Sequence, residues 1–170
     1  THIKLQDFAQ RRQDLAAHIG TRGVAIIPGA RLQIRNNDVH FPFRQDSDFW
    51  YLTGFDEPEA LLVLVPGREQ GETILFCRER DDERERWDGP RVGLEGACAE
   101  YGFDDAFPIS DAHEVVPGLL EGREKIYYNM GKQLTLDKAV LTWVNRLHQG
   151  HRRNAHPPEE LVSLTHTLHE

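Results

Sequence analysis

The chain has 170 residues, a formal net charge of −8 and two cysteines. Its length fits one domain that buries about 70% of its unfolded surface, and the acidic surplus argues against nucleic acid as a general partner, since phosphate binding needs clustered Lys and Arg. Cys77 and Cys98 have neither metal-ligand nor redox spacing, and no apolar run approaches the ~20 residues that span a bilayer. We therefore expect a cytoplasmic protein without a membrane partner.

The amino-terminal part of the chain predicts a helix followed by buried strands. Apolar residues at helical spacing indicate a helix from Lys4 to Ile19, with Arg12 among its outward-facing residues. Apolar runs closed by Pro-Gly pairs predict strands at Val24–Ile27 and Leu61–Val65, and Thr73–Cys77 is predicted as a third strand.

A short helix rich in aromatic residues is predicted between the first two of these strands. Asp46 and Ser47 are residue types that cap helix N-termini, and Gly54 suits a left-handed C-cap. The aromatic residues of this segment are typical of a core, because clustered aromatic side chains are usually buried. They are Phe49, Trp50, Tyr51 and Phe55.

The middle of the chain is highly charged. The run from Arg78 to Arg86 alternates basic and acidic residues, which predicts a solvated surface with ion pairs and a short helix ending near Trp87. The turn residues of 88–93 then predict a loop. Leu94–Tyr101 is predicted as a helix and Ala106–Ile109 as a strand.

The carboxy-terminal part is predicted to be mainly helical. A helix capped by Ser110 or Asp111 should be broken or kinked at Pro117, and Lys125–Tyr128 is a strand candidate. A strong helix from Leu136 to His148 follows; its apolar stripe comprises Leu136, Val140, Leu141, Val144 and Leu147. A last helix is predicted from Glu159 to His169 without a C-cap, so we expect this sequence to be part of a longer chain.

Alternating strands and helices predict an α/β fold, a single domain with a mixed β-sheet flanked by helices. One segment also resembles a known family. It reads Phe43-Arg44-Gln45-Asp46-Ser47-Asp48-Phe49-Trp50-Tyr51-Leu52-Thr53-Gly54-Phe55 and continues with Glu57-Pro58-Glu59-Ala60. This pattern resembles the amino-terminal domain of bacterial aminopeptidase P, from the Xaa-Pro aminopeptidases of the creatinase-like, "pita-bread" metallopeptidase class. The resemblance implies a ribonuclease-H-like sheet.

The resemblance implies that the catalytic machinery lies elsewhere. In the family, two Asp, one His and two Glu of a carboxy-terminal domain hold a two-metal site, of the Mn²⁺ type, that activates water. None of these motifs can be placed in the sequence. Residues 1–170 are therefore expected to form the amino-terminal, non-catalytic domain, with no catalytic residue, metal ligand or cofactor of its own.

The resemblance assigns three residues to a substrate cleft, reached from a neighbouring subunit. Trp87 resembles a tryptophan that closes the pocket beyond the proline, Asp38 an aspartate at the active-site rim, and Arg152 its arginine partner, with Arg153 as a competitor. The residues alone leave other interpretations open. Trp87 also suits a core, Asp38 a turn or cap, and Arg152 an ordinary surface.

The leading functional hypothesis is the inactive part of an enzyme that releases the residue before a proline at position 2. Its expected partners are its own catalytic domain, further copies in a dimer or tetramer, and proline-containing peptides. Two alternatives remain. The chain could instead belong to a creatinase- or prolidase-type enzyme, or it could be a stand-alone interaction module.

Overall fold

A six-stranded mixed sheet crosses the part of the chain that the computed structural model describes, residues 5–30, 43–149, 157–164 and 168. Its strands are β1 (Gly23–Pro28), β2 (Leu61–Leu64), β3 (Thr73–Cys77), β4 (Asp105–Pro108), β5 (Lys125–Tyr127) and β6 (Glu160–Val162). They lie in the order β4-β3-β2-β1-β5-β6. The first three strands form an antiparallel meander, and β4, β5 and β6 each join in parallel.

Helices cover both faces of this sheet. They are α1 (Leu5–Ile19), α2 (Ser47–Thr53), α3 (Asp82–Asp88), α4 (Gly93–Tyr101), α5 (Ala112–Leu120) and α6 (Leu134–Gln149). Successive strand residues point to opposite faces, so β1 contributes Val24 and Ile26 to the core under α5 and α6. Ala25 and Ile27 of the same strand belong to the core under α1 and α2. The predicted fold class, a mixed sheet flanked by helices, is confirmed.

The helix α2 forms as its sequence predicts. The carboxylate of Asp46 accepts a hydrogen bond from the backbone N–H of Phe49 (3.0 Å), and Gly54 ends the helix with a left-handed φ of 64°. The aromatic cluster, however, divides. Phe49 and Phe55 are fully buried, whereas Trp50 and Tyr51 expose 39% and 47% of their surface, so the core interpretation is wrong for these two residues.

Two residue assignments on the long helices are also wrong. Arg12 is buried on α1, because its guanidinium donates to the carbonyl oxygens of Leu52 (2.9 Å) and Tyr101 (3.2 Å). On α6, Leu141 is exposed and Trp143 takes its place in the core.

The predictions for two other helices need correction too. Glu160–Val162 is a strand rather than a helix, because its backbone pairs in parallel with β5. The helix α5 continues through Pro117 and receives no side-chain cap from Asp111. Pro117 has no N–H to donate to the carbonyl of His113, and Arg146 donates to that oxygen instead (2.6 Å).

Among the described residues, no helix combines the length and the apolar character needed to cross a membrane.

Candidate functional site

Trp87 is the most exposed large apolar side chain of those described, with 86% of its surface accessible. It lies near the end of α3, and no residue of this helix is buried. The interpretation of Trp87 as a core residue is therefore wrong. Covering an exposed indole with another molecule or domain is favourable, because it removes apolar surface from water.

Local sequence explains why α3 forms without a core. Asp81 caps its first turn by accepting the backbone N–H of Arg84 (3.1 Å), and Gly89 ends it with a φ of 94°. Ion pairs join Arg80 to Glu85 (3.1 Å) and Arg84 to Asp81 (3.8 Å). The prediction of a charged, solvated surface with mixed-sign pairs is confirmed.

Glu85 connects the two ends of residues 81–92, which are called the Trp87 segment below. Its carboxylate accepts the backbone N–H of Asp81 (2.8 Å), the backbone N–H of Arg91 (2.9 Å) and the Nε–H of Arg80 (3.1 Å). The hydrogen bond from Arg91, followed by that from Asp81, lowers the pKa of Glu85 to about 2. The carboxylate is therefore ionised at neutral pH and can accept all three donors.

Glu57 holds the same segment from the side of the sheet. Its carboxylate accepts the backbone N–H of Val92 (2.8 Å) and pairs with the guanidinium of Arg78 (3.2 Å). The side chains of Glu57 and Arg78 are only 12% and 13% exposed. Glu57 follows α2 in the aromatic-rich segment, residues 43–60. This contact therefore connects that segment to the loop after Trp87.

The backbone at Gly93 requires glycine for two reasons. Its φ is 77°, a value that side chains other than glycine rarely adopt. A Cβ atom at this position would also lie 2.6 Å from Cγ of Arg80. The loop from Trp87 to α4 is thus fixed by conformation as well as by hydrogen bonds.

A second candidate feature is an apolar groove of about 660 Å³ along α5 and α6. Leu61, Leu136 and Trp143 contribute to its wall, and the indole N–H of Trp143 donates to Nδ1 of His113 (3.0 Å). Glu59 lies at its edge with a φ of 59°, which is unusual outside glycine. Burial raises the pKa of Glu59, so this carboxyl group ionises less readily than an exposed one.

The remaining predicted site residues are not described. Asp38 and Arg152 both lie outside the described ranges, and the proposed rim pair therefore stays a prediction. Within those ranges, no three His, Cys, Asp or Glu side chains are grouped in a way that could hold a metal ion.

Three polar residues with central roles were missed by the sequence reasoning. Glu85 and Glu57 anchor the Trp87 segment, and Gln45 joins the aromatic-rich segment to β1. The Gln45 side chain accepts the N–H of Ala30 (2.7 Å) and donates to the carbonyls of Phe55 (2.9 Å) and Glu57 (3.0 Å). The only available signal was that Gln45 and Glu57 belong to the family-like pattern.

Comparison with known proteins identifies relatives along the whole chain. The family model described as "Aminopeptidase P, N-terminal domain" matches residues 8–127. The Xaa-Pro aminopeptidase of Escherichia coli is 34% identical over 171 aligned positions, which cover 100% of this chain and 39% of that protein. Xaa-Pro aminopeptidase 3 of Rattus norvegicus is 35% identical over 138 positions, covering 74% of this chain and 27% of the relative.

Solved structures agree with the sequence comparisons. Pseudomonas aeruginosa aminopeptidase PepP superposes with a TM-score of 0.93 at 50% identity, over 99% of this chain and 38% of that one. Zn-substituted E. coli aminopeptidase P in complex with product gives a TM-score of 0.91 at 34% identity, over 100% of this chain and 39% of that one. The chain thus spans about two fifths of the length of the E. coli and P. aeruginosa proteins.

Proposed function

This chain belongs to the family of aminopeptidase P N-terminal domains, and we propose that it is the non-catalytic domain of a Xaa-Pro aminopeptidase. The complete enzyme would release the first residue of peptides that carry proline second. The bond before proline differs from other peptide bonds, because the proline nitrogen has no hydrogen and the ring fixes the backbone. The names of the relatives support this substrate class.

The chemistry would be supplied by a catalytic domain outside these residues. Two metal ions there would polarise the scissile carbonyl and deliver hydroxide. We propose Mn²⁺ as the resident metal by family resemblance. The Zn-substituted relative supports a metal in the remainder of such enzymes.

The exposed indole of Trp87 is the observation that supports a direct role for this domain. We propose that it covers the proline ring and the residues beyond it, because an indole offers a wide apolar surface and one hydratable N–H. Its firmly held backbone suits a cleft wall, since a fixed surface loses little entropy when substrate binds. Asp38 and Arg152 are proposed to form a charged pair at the cleft rim.

The partners follow from the same proposal. The domain would contact its own catalytic domain and neighbouring copies in a dimer or tetramer, one of which would contribute its Trp87 to the cleft. We propose a cytoplasmic location for the enzyme. The alternatives of a creatinase- or prolidase-type enzyme and of a stand-alone module have less support, because the relatives named above are Xaa-Pro aminopeptidases.

Two measurements on the same pair of proteins test the division of labour. Elemental analysis and hydrolysis of an Ala-Pro peptide are compared for residues 1–170 and for the complete polypeptide. We expect the complete polypeptide to hold metal and cleave, and residues 1–170 to hold no stoichiometric Mn²⁺ or Zn²⁺ and release no alanine. Cleavage by residues 1–170, or its absence from the complete polypeptide, would contradict the proposal.

A further inference from the structure

The helix α3 presents an energetic problem, because it has seven residues and buries none of them. A helix this short is not stable by itself in water, since the first turn costs more order than its hydrogen bonds return. Besides the Asp81 cap, two carboxylates hold this segment. Glu85 joins Asp81 to Arg91, at the start of α3 and beyond its end, while Glu57 holds the N–H of Val92.

We propose that Glu85 and Glu57 are positioning residues that hold the backbone at Trp87 in place, so that its indole lies beside the substrate residues beyond the proline. This inference rests on the cleft role proposed for Trp87. Neither carboxylate needs to touch the substrate. Each acts through the backbone on either side of the indole, because the hydrogen bonds to Asp81, Arg91 and Val92 enclose the Trp87 segment.

The contacts of Glu85 require a carboxylate rather than an amide. The two oxygens of Glu85 face different donors, with Oε2 accepting from Asp81 and Oε1 accepting from Arg91. A glutamine has one oxygen and one NH₂ group, so Glu85→Gln must place a donor against one of these backbone N–H groups. The substitution keeps the size of the side chain and opens the segment at one end.

Glu83 provides a matched control on the same helix. It is exposed, and Glu83→Gln removes the same charge from α3 without removing a hydrogen bond to the loop. Any effect of helix charge or net charge is therefore shared by the two variants. An effect of anchoring appears in Glu85→Gln alone.

The first experiment measures the backbone order parameter of the Trp87 amide by NMR relaxation. We expect a value near the ~0.85 of rigid backbone in the wild type and in Glu83→Gln, and a value below about 0.6 in Glu85→Gln. The α2 amides report in the same spectrum that the domain remains folded. Glu57→Gln is the second variant. Its NH₂ group must face either the N–H of Val92 or the guanidinium of Arg78, so it should raise mobility from the Val92 side. An unchanged order parameter in both anchor variants would overturn the inference.

The second experiment measures the kinetics of the complete enzyme with a proline-containing tripeptide and an Ala-Pro dipeptide. Glu85→Gln should raise KM for the tripeptide, on the order of tenfold, because losing an apolar contact with the substrate costs roughly 10–200-fold. The value of kcat should change little, since the scissile bond is held elsewhere. In a Trp87→Ala background, Glu85→Gln should have no further effect on KM.

The outcomes separate this inference from the function on which it rests. An equal effect of Glu85→Gln with and without Trp87 would overturn the positioning role and leave the cleft role intact. A Trp87→Ala enzyme with unchanged tripeptide kinetics would overturn the cleft role, and with it the orientation toward substrate.

Discussion

Two helices of this protein begin and end alike but are stabilised differently. Both α2 and α3 have seven residues, an Asp N-cap, a glycine at the C-cap and a tryptophan. In α2 the residues Phe49, Leu52 and Thr53 are buried, whereas α3 buries no residue. Capping residues therefore locate a helix in both cases, and they do not tell whether the helix packs into the core.

The difference separates structural residues from candidate functional ones. Packing stabilises α2, because Phe49 and Leu52 lie in the core under α1 and α2. Hydrogen bonds to Glu85 and Glu57 stabilise the α3 segment. Packing does not involve the indole of Trp87, which is far more exposed than that of Trp50 (86% against 39%).

The largest effect on stability is expected for a core residue of α2. Phe49→Ala should lower the free energy of unfolding by ~3–5 kcal/mol, because it leaves a cavity at a fully buried site. Urea titration measures this change, with the half-exposed Tyr51→Ala as the control from the same helix. A Phe49 variant as stable as the Tyr51 variant would show that α2 does not depend on packing.

The two tryptophans should differ more modestly in stability. Trp50→Ala should cost about 1 kcal/mol, because its ring keeps an edge contact with Phe8 at a centroid distance of 6.0 Å. Trp87→Ala should stay within about 0.5 kcal/mol of the wild type, as is usual for surface positions. Thermal and urea unfolding of both variants measure the difference, and an equally large loss for Trp87→Ala would remove the distinction between the helices.

Removing either N-cap should destabilise its own helix by a similar amount, but only the N-cap of α2 should affect the global stability of the domain. Removing a capping Asp costs a helix about 1 kcal/mol. Asp46→Ala should lower global stability by that amount, since α2 belongs to the core. Asp81→Ala should leave global unfolding unchanged and increase amide hydrogen exchange in α3 alone. Loss of global stability in both variants would indicate that α3 unfolds together with the core.

The pH dependence of the Trp87 segment follows from Glu85. Its pKa is lowered from 4.5 to about 2 by hydrogen bonds present in the folded state. A carboxyl group whose pKa is lower in the folded state stabilises that state at pH values above its unfolded pKa. This stabilisation is lost as the pH falls to the folded pKa. We expect the difference in α3 amide exchange between wild type and Glu85→Gln to be constant above pH ~5 and to shrink toward pH 2. A difference that vanishes near neutral pH would contradict this assignment.

Much of the fold could be predicted because its signals are local. Apolar runs located β2 and β3, and cap residues located α2. The failures involve distant partners. Glu160–Val162 is a strand because β5 lies beside it, and no property of those three residues reveals that neighbour.

Side-chain placement failed for a related reason. Leu141 and Trp143 are both apolar and only two positions apart, so periodicity could not choose which of them faces the core. Arg12 lies at the spacing of the buried stripe of α1, but its charge predicted exposure. It is buried because carbonyl groups 40 and 89 residues away accept its hydrogen bonds.

The sequence could identify the candidate site residue Trp87, but it could not identify the residues that hold its backbone in place. The resemblance identified Trp87, while its exposure and its anchors at Glu85 and Glu57 required the structure. Those anchors are single glutamates in a charged chain, and no spacing distinguishes them from solvated ones. Asp38 and Arg152 stay predictions, as they lie outside the described residues.

The most direct test of a functional role for this domain compares Trp87 with Trp50 in the complete polypeptide. The measurement is kcat/KM for a tripeptide with proline second, divided by the value for an Ala-Pro dipeptide. Trp87→Ala should lower this ratio on the order of tenfold, the loss of one well-placed apolar contact, while Trp50→Ala should leave it unchanged. An unchanged ratio in Trp87→Ala, or an equal fall in both variants, would contradict the proposal that Trp87 forms part of the substrate cleft.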